Sequence, residues 1–257
     1  MTSAQYTPLS FYKRLLRLAK LPAWLARTYR RINTFTDLSV AERNDALAAI
    51  ANEILAIFDI RLHINRRDNT SITTPILAVS NHISWLDVFV LMSLYPSGFI
   101  AKQSIRRWPI IGKLAWRIDT VFINRTSRKD TDSVNQAIAQ ALLRNRSVTF
   151  FPESKTSDGI GILPFKAALF QAAIDTNTPI QTIALRYFDE QQQRTTDASY
   201  AHVSLLTSVW RVAGHHYMNT VVDFAPLIDS KPVPALDRFE LKDLAERFVE
   251  SKVCTQK

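Results

Sequence analysis

The chain has 257 residues, 47% hydrophobic, 21% charged and 10% aromatic, which is enough apolar material for one sizeable core or two small ones and excludes a mostly disordered chain. With 5 glycines and 11 prolines it is neither collagen-like nor low in complexity, and its single cysteine, Cys254, excludes a disulfide framework and a cysteine-based zinc site and points to a reducing compartment. Lysine and arginine (32) exceed aspartate and glutamate (23) for a formal charge of +9, favouring anionic partners: phosphate esters, nucleic acid, acidic proteins or anionic lipid headgroups.

The basic excess is concentrated at the start. Lys13, Arg14, Arg17, Lys20, Arg27, Arg30 and Arg31 precede Asp37, the first acidic residue. Between Leu9 and Arg31 the apolar Phe11, Leu15, Leu18, Leu21 and Leu25 recur at helical spacing with bases on the other faces, which predicts an amphipathic basic helix broken at Pro22. Such a helix either docks on its own core with its bases solvated or lies on a membrane, and the lack of acids favours an anionic membrane surface. The longest uncharged apolar stretch, Val88 to Ala101, is 14 residues and contains Pro96 and Gly98, short of the roughly 18 residues needed to cross a bilayer. Bases interrupt the N-terminal apolar residues every three or four positions, so no secretory signal is read there. The expectation is a peripheral, monotopic protein on the cytoplasmic face of a membrane, without a transmembrane span.

A second helix is predicted over about Ser39 to Phe58. The pattern then changes. Pro75–Val79, Thr120–Ile123, Ser147–Phe151 and Pro179–Leu185 read as short strands, separated by helices over about Leu86–Tyr95, Ile110–Arg117, Asp132–Arg144 and Phe165–Thr176. Val203–Trp210 and Thr220–Phe224 are further candidate strands, and Leu236–Val253 a closing charged helix. This alternation predicts an α/β fold, a mixed central sheet flanked by helices, preceded by the N-terminal amphipathic helical segment. The division follows: residues 1–58 helical and on the membrane surface, residues 59–257 the α/β domain.

Ligands of open α/β sheets bind beyond the carboxyl ends of strands, and Ser80-Asn-His-Ile-Ser-Trp-Leu-Asp87 directly follows such a strand. A turn entering a helix can return Asp87 to one ring nitrogen of His82 and leave the other free as a base. The same two residues would also serve as a helix cap and a first-turn carboxylate. Phe151-Pro-Glu-Ser-Lys-Thr-Ser-Asp-Gly159 puts Glu153, small hydroxyl residues and a glycine in a loop after another strand, suited to a polar headgroup or to a structural turn. Val121-Phe-Ile-Asn-Arg125 ends a strand on an arginine, whose planar fork suits phosphate. His215-His216 lacks nearby carboxylates at ligand spacing and reads as a surface loop; no metal site is expected.

Asn81–Asp87, Phe122–Arg125, Phe151–Glu153 and Pro179-Ile180, in this order, resemble the four sequence blocks of the glycerol-phosphate and lysophospholipid acyltransferases over about Ile76 to Leu185, nearest to the bacterial 1-acyl-glycerol-3-phosphate enzymes. The resemblance implies that His82 is the general base and Asp87 its partner. It associates Arg125 and Glu153 with acceptor binding and site architecture, and it makes Pro179 structural or part of an acyl groove. Asn81, Ser84 and Lys155 are further candidates for substrate contact. The family commonly carries N-terminal membrane-binding helices, in keeping with the basic segment. Three departures stand out. The usual Phe-Pro-Glu-Gly-Thr-Arg of the third block has Ser154, Lys155 and Thr156 in its last three places, so the arginine linked to the acceptor phosphate is missing. Asp119 replaces a glycine, and Thr182 replaces a second proline.

The implied chemistry transfers a fatty acyl group from a thioester, acyl-CoA or acyl carrier protein, to the free hydroxyl of a lysolipid, with 1-acyl-glycerol-3-phosphate the first candidate and lyso-ornithine lipid an alternative. The donor is a co-substrate, and no cofactor is needed. Oxyanion donors are expected from the Asn81–Ser84 turn or the Glu153–Gly159 loop, and phosphate contacts from Arg125, with Lys155 and Lys166 behind it. Against this stands a non-catalytic peripheral membrane or nucleic-acid module. No interleaved aromatic and basic signature supports nucleic acid, and no Gly-x-Ser-x-Gly elbow supports a serine hydrolase.

Overall fold

The computed structural model describes residues 7–66, 75–117, 120–123, 128–229 and 236–254. Helices α1 (Phe11–Leu18) and α2 (Leu21–Asn33) are separated just before Pro22, which sits in the first turn of α2 where a missing N–H costs nothing. Helix α3 (Val40–Phe58) starts on a reciprocal cap between Ser39 and Glu42 and stops at Asp59, whose left-handed φ of 52° turns the chain into strand β1 (Ile60–Asn65).

The remaining elements are β2 (Leu77–Ser80), α4 (Leu86–Leu94), β3 (Gly98–Lys102), α5 (Ile111–Arg117), β4 (Val121–Ile123), α6 (Arg128–Leu143), β5 (Val148–Phe150), α7 (Gln171–Thr176), β6 (Ile180–Phe188), α8 (Leu205–Val212), β7 (Met218–Phe224) and α9 (Arg238–Val253). Among the described residues seven strands form one sheet in the order β1-β7-β6-β2-β5-β3-β4, parallel throughout except for the β6–β7 pair, so the sheet is mixed as expected. Strand residues alternate between two apolar layers. Ile76, Ala78, Ile183 and Leu185 face a cluster built with α2, α3 and α4, while Leu77, Val79 and Ala184 face α6 and α9. Helices α2 and α3 therefore pack on the sheet, whereas α1 buries no residue.

Four sequence-based expectations need correction. Val203–Trp210 is not a strand: Ser204 caps the backbone N–H of Thr207, and Leu205, Val209 and Val212 recur at helical spacing on the inner side of α8. Two strands, β1 and β3, were not foreseen. Pro179 lies at the amino end of β6, its carbonyl accepting the Leu77 N–H, and so sits at the opposite end of the parallel strands from His82 and lines no groove there. His215 is not on a surface loop: it is 1% exposed, with Nδ1 3.2 Å from Glu190 and Nε2 2.9 Å from Asp197. Burial alone would lower its pKa, but the hydrogen bonds accepted by Asp197 and Glu190, with their charges, outweigh burial and raise it. The turn around it holds α1, because Arg17 donates to the carbonyls of His215 and His216 and the Leu9 N–H donates to Gly214.

Trp24 fixes α2 against α3: it is 3% exposed, its indole N–H donates to the Ile50 carbonyl at 3.1 Å, and its ring meets Phe89 edge-on. Trp24→Ala is expected to cost about 3–5 kcal/mol, read as a drop in the urea or thermal midpoint; an unchanged midpoint would mean that α2 is not part of the core.

Candidate active site

Strand β2 ends at Ser80, and Asn81 extends the sheet with its side chain. Its amide oxygen accepts the Leu185 N–H at 2.8 Å and its NH2 donates to the Leu185 carbonyl at 3.0 Å, so the residue is fully buried and fully occupied. The chain then wraps around one carboxylate. Asp87, in the first turn of α4 and 0% exposed, accepts at Oδ2 from His82 Nδ1 (2.8 Å) and from the backbone N–H groups of Ile83 (2.6 Å) and Ser84 (2.8 Å). At Oδ1 it accepts from the Tyr187 hydroxyl at 2.7 Å. A carboxylate so surrounded holds the Nδ1 proton on the imidazole and leaves Nε2 with its lone pair. Among the described residues Nε2 makes no hydrogen bond, and the ring is 21% exposed at the wall of a cavity.

The opposite wall of the turn is the loop after β5. The Phe151 ring stacks on His82 with centroids 4.0 Å apart and planes 13° from parallel. Glu153, 3% exposed, accepts the His82 N–H at 2.8 Å with one oxygen and the Leu163 N–H at 2.9 Å with the other. Burial pushes its pKa up to about 7, against the pull of those two N–H donors and with the help of the neighbouring Asp87 and Asp158 charges. Ser154 has φ of 64°, the left-handed region, at the place where the resembled block carries glycine, so the usual residue there is explained by the backbone. The loop closes back through Ser157, whose N–H donates to the His82 carbonyl at 2.7 Å.

The cavity is about 780 Å³ and predominantly apolar, running from His82 and Phe151 past Trp85 and Phe89 to Trp24. Lys155 and Lys166 stand exposed at its lining, and no ion pair involves either among the described residues. Of the candidates read from sequence, His82, Asp87, Glu153 and Lys155 are brought together. Asn81 and Ser84 are also present, but as buried framework: the Ser84 hydroxyl accepts the Leu86 N–H and its own N–H is given to Asp87. Arg125 and Asp119 lie outside the described residues. Tyr187 was missed. Its alternation with Ile183 and Leu185 marks an inward face of β6, but nothing local in the sequence announces a partner 100 residues away. Among the described residues no cluster of three or more histidine, cysteine or acidic side chains is placed to hold a metal ion, and no helix is long and apolar enough to cross a membrane.

Residues 61–186 match the family model described as Acyltransferase. The chain is 42% identical over 244 residues, 95% of its own length and 94% of the relative's, to a 1-acyl-sn-glycerol-3-phosphate acyltransferase of Neisseria gonorrhoeae. It is 32% identical, over 68% of its length and 66% of the relative's, to a lyso-ornithine lipid O-acyltransferase of Pseudomonas aeruginosa. The crystal structure of the 1-acyl-sn-glycerophosphate acyltransferase of Thermotoga maritima superposes with a TM-score of 0.73, covering 94% of this chain and 93% of that one at 15% identity, which is a likeness of fold.

Glu153 binds its proton more readily in the folded chain, at about 7, than at the 4.5 of an unperturbed glutamate. Its contribution to stability is therefore complete below the unfolded value and is lost as pH rises through the folded one, by an amount on the order of 3 kcal/mol. Urea midpoints taken at both ends of this window are expected to fall more for the native chain than for Glu153→Gln, whose lost acceptor is a pH-independent offset; parallel curves would refute the shift.

Proposed function

The chain belongs to the glycerol-phosphate and lysophospholipid acyltransferase family, and on that premise we propose that it acylates the free hydroxyl of 1-acyl-glycerol-3-phosphate from a thioester, acyl-CoA or acyl carrier protein, in membrane phospholipid synthesis. The observation that carries this is the Nε2 of His82, without a hydrogen bond among the described residues while Nδ1 is held by Asp87, at the wall of a long apolar cavity. A thioester is already activated, so a base and an oxyanion site suffice and no cofactor takes part. Nε2 takes the acceptor's hydroxyl proton as that oxygen forms a bond to the thioester carbon, and Asp87 stabilises the imidazolium. When the carbon–sulfur bond breaks, the departing thiolate receives the same proton. General-base action of this kind contributes about 10²–10⁴-fold.

The N–H groups of His82, Ile83 and Ser84 are all bound to Glu153 or Asp87, which removes them as oxyanion donors. Lys155 and Thr156 line the cavity and their N–H groups make no hydrogen bond among the described residues, and these are assigned that role. The Lys155 and Lys166 ammonium groups meet the acceptor phosphate, with Arg125 as a third cation. Glu153 acts on substrate only through the main chain of His82. The similarity to lyso-ornithine lipid acyltransferases, together with Thr156 where the family's phosphate arginine stands, makes lyso-ornithine lipid the rival acceptor.

Helix α1 presents Phe11 and Tyr12, each about two-thirds exposed, with Leu15 and Leu16, amid the basic N-terminal segment. In this reading it lies on an anionic membrane, which makes the protein peripheral and monotopic at the cytoplasmic face and brings lipid to the cavity that α2 lines.

Thiol release from acyl-CoA or acyl carrier protein, measured over a panel of lysolipids, tests the reaction. Release is expected to depend on an acceptor and to be fastest with 1-acyl-glycerol-3-phosphate; a preference for lyso-ornithine lipid selects the rival, and acceptor-independent release indicates a thioesterase. His82→Ala is expected to abolish transfer in a folded protein, and Asp87→Asn to keep substrate binding while losing most of the rate. For the membrane, Tyr12→Glu with Leu16→Glu leaves α2 and its buried Trp24 in place and is expected to weaken partition onto anionic vesicles about ten-fold or more; unchanged partition refutes the role of α1.

A further inference from the structure

We propose that Tyr187 is a positioning residue of the transfer reaction: its hydroxyl fixes the orientation and basicity of the Asp87 carboxylate, and through Asp87 the imidazole of His82. The inference rests on the assignment of His82 as the base.

The two oxygens of Asp87 are held from different parts of the fold. Oδ2 is gripped by three donors of the same turn, His82 Nδ1 and the N–H groups of Ile83 and Ser84. Those three converge on one oxygen and leave Oδ1 to be satisfied from outside the turn. Oδ1 has a single partner among the described residues, the Tyr187 hydroxyl at 2.7 Å. Tyr187 comes from the sheet and not from the turn. It is 1% exposed, it pairs with Thr220 across the β6–β7 ladder, and its carbonyl accepts the Thr195 N–H at 3.1 Å, so its backbone is held on both sides. Its ring lies in the same apolar cluster as Ile183 and Leu185, a place that phenylalanine would fill equally well without the oxygen.

Burial and the adjacent Asp87 charge raise the Tyr187 pKa well above that of a free phenol, so the hydroxyl keeps its proton and donates throughout the working range of the enzyme. The donated proton withdraws charge from the carboxylate. Without it, Oδ1 would be a buried acceptor with nothing to accept, the carboxylate would be more basic, and it would hold the doubly protonated imidazole more tightly. Besides Tyr187 the titratable groups facing Asp87 are His82 in its own turn and Glu153 from the loop after β5, and among the described residues the Tyr187 hydroxyl bonds to Asp87 and not to Glu153.

The test is Tyr187→Phe, compared with Ile183→Val as a core change on the same face of β6 and with His82→Ala, each assayed below its melting temperature for kcat, both KM values and the pH profile of kcat/KM. A hydrogen bond to a charged group is worth about ten- to a hundred-fold, so kcat is expected to fall by roughly that factor in Tyr187→Phe. Both KM values should stay near those of the native chain, and the acid limb of the profile should move to higher pH. Ile183→Val should move neither kcat nor the profile. Native kcat and an unmoved acid limb in Tyr187→Phe, with His82→Ala inactive, overturn the proposal while leaving the base in place. Turnover by His82→Ala removes the base and the proposal with it. If Tyr187→Phe does not fold, 3-fluorotyrosine at position 187 keeps the hydroxyl and strengthens it as a donor; the acid limb should then move to lower pH, and an unmoved limb overturns the proposal.

Discussion

A carboxylate sealed from water is tolerable only where donors replace its hydration, and Asp87 receives four of them. That one requirement shapes the site. To supply Oδ2, the chain after β2 must curl so that the Ile83 and Ser84 N–H groups point inward, and this curl carries the His82 ring to the rim of the cavity with Nδ1 facing the carboxylate. The lone pair on Nε2 is thus a consequence of how a buried charge is satisfied. The same accounting makes the turn unsuitable as an oxyanion hole, since its N–H groups are already bound.

Glu153 repeats the device from the neighbouring strand. Strands β2 and β5 are adjacent and parallel, so their carboxyl ends bring residues 82 and 153 together, and one carboxylate holds the His82 main chain while the other holds its side chain. Two buried carboxylates this close cannot be equally well served. Asp87 has four donors and Glu153 two, and it is Glu153 whose pKa climbs to about 7. The stacked Phe151 ring excludes water from one face of the imidazole, which strengthens every electrostatic contact behind it.

How much of this the sequence disclosed depends on how far apart the partners lie. His82 and Asp87 are five residues apart beyond an evident strand, so the pair was readable, as were most core strands and the mixed sheet. Strand β3 was hidden because its Gly98–Lys102 continues an apolar run read mainly as helix, whereas β1 was legible in the strict alternation of Ile60, Leu62 and Ile64 with Arg61, His63 and Asn65 and was passed over. His215 misled because its acids, Glu190 and Asp197, are 25 and 18 residues upstream and arrive through the antiparallel β6–β7 pairing. Asn81 and Ser84 belong to the right block but for a backbone reason: polar side chains that complete a sheet edge and a turn look, in sequence, like side chains waiting for substrate.

The same long-range contacts join helix α1 to the turn that carries His82. Helix α1 rests on the carbonyls of residues 214–216 through Leu9 and Arg17, and His215 beneath them is clasped by Asp197. Two residues further on, the Ser199 hydroxyl donates to the Ser157 carbonyl, and the Tyr200 N–H donates to the carbonyl of Ile83, in the turn that wraps Asp87. Ser157 in turn holds the His82 carbonyl. The links from Ser199 through Ser157 to His82 run between buried or half-buried groups, so releasing one orphans a partner, whereas the Arg17 bond to His216 and the Asp197 carboxylate are open to water. The exposed apolar side of α1 and the cavity that opens at His82 are therefore connected through the fold by a continuous series of hydrogen bonds. The connection is also direct along the chain, because α2, which follows α1, supplies the cavity wall at Leu21, Trp24 and Leu25.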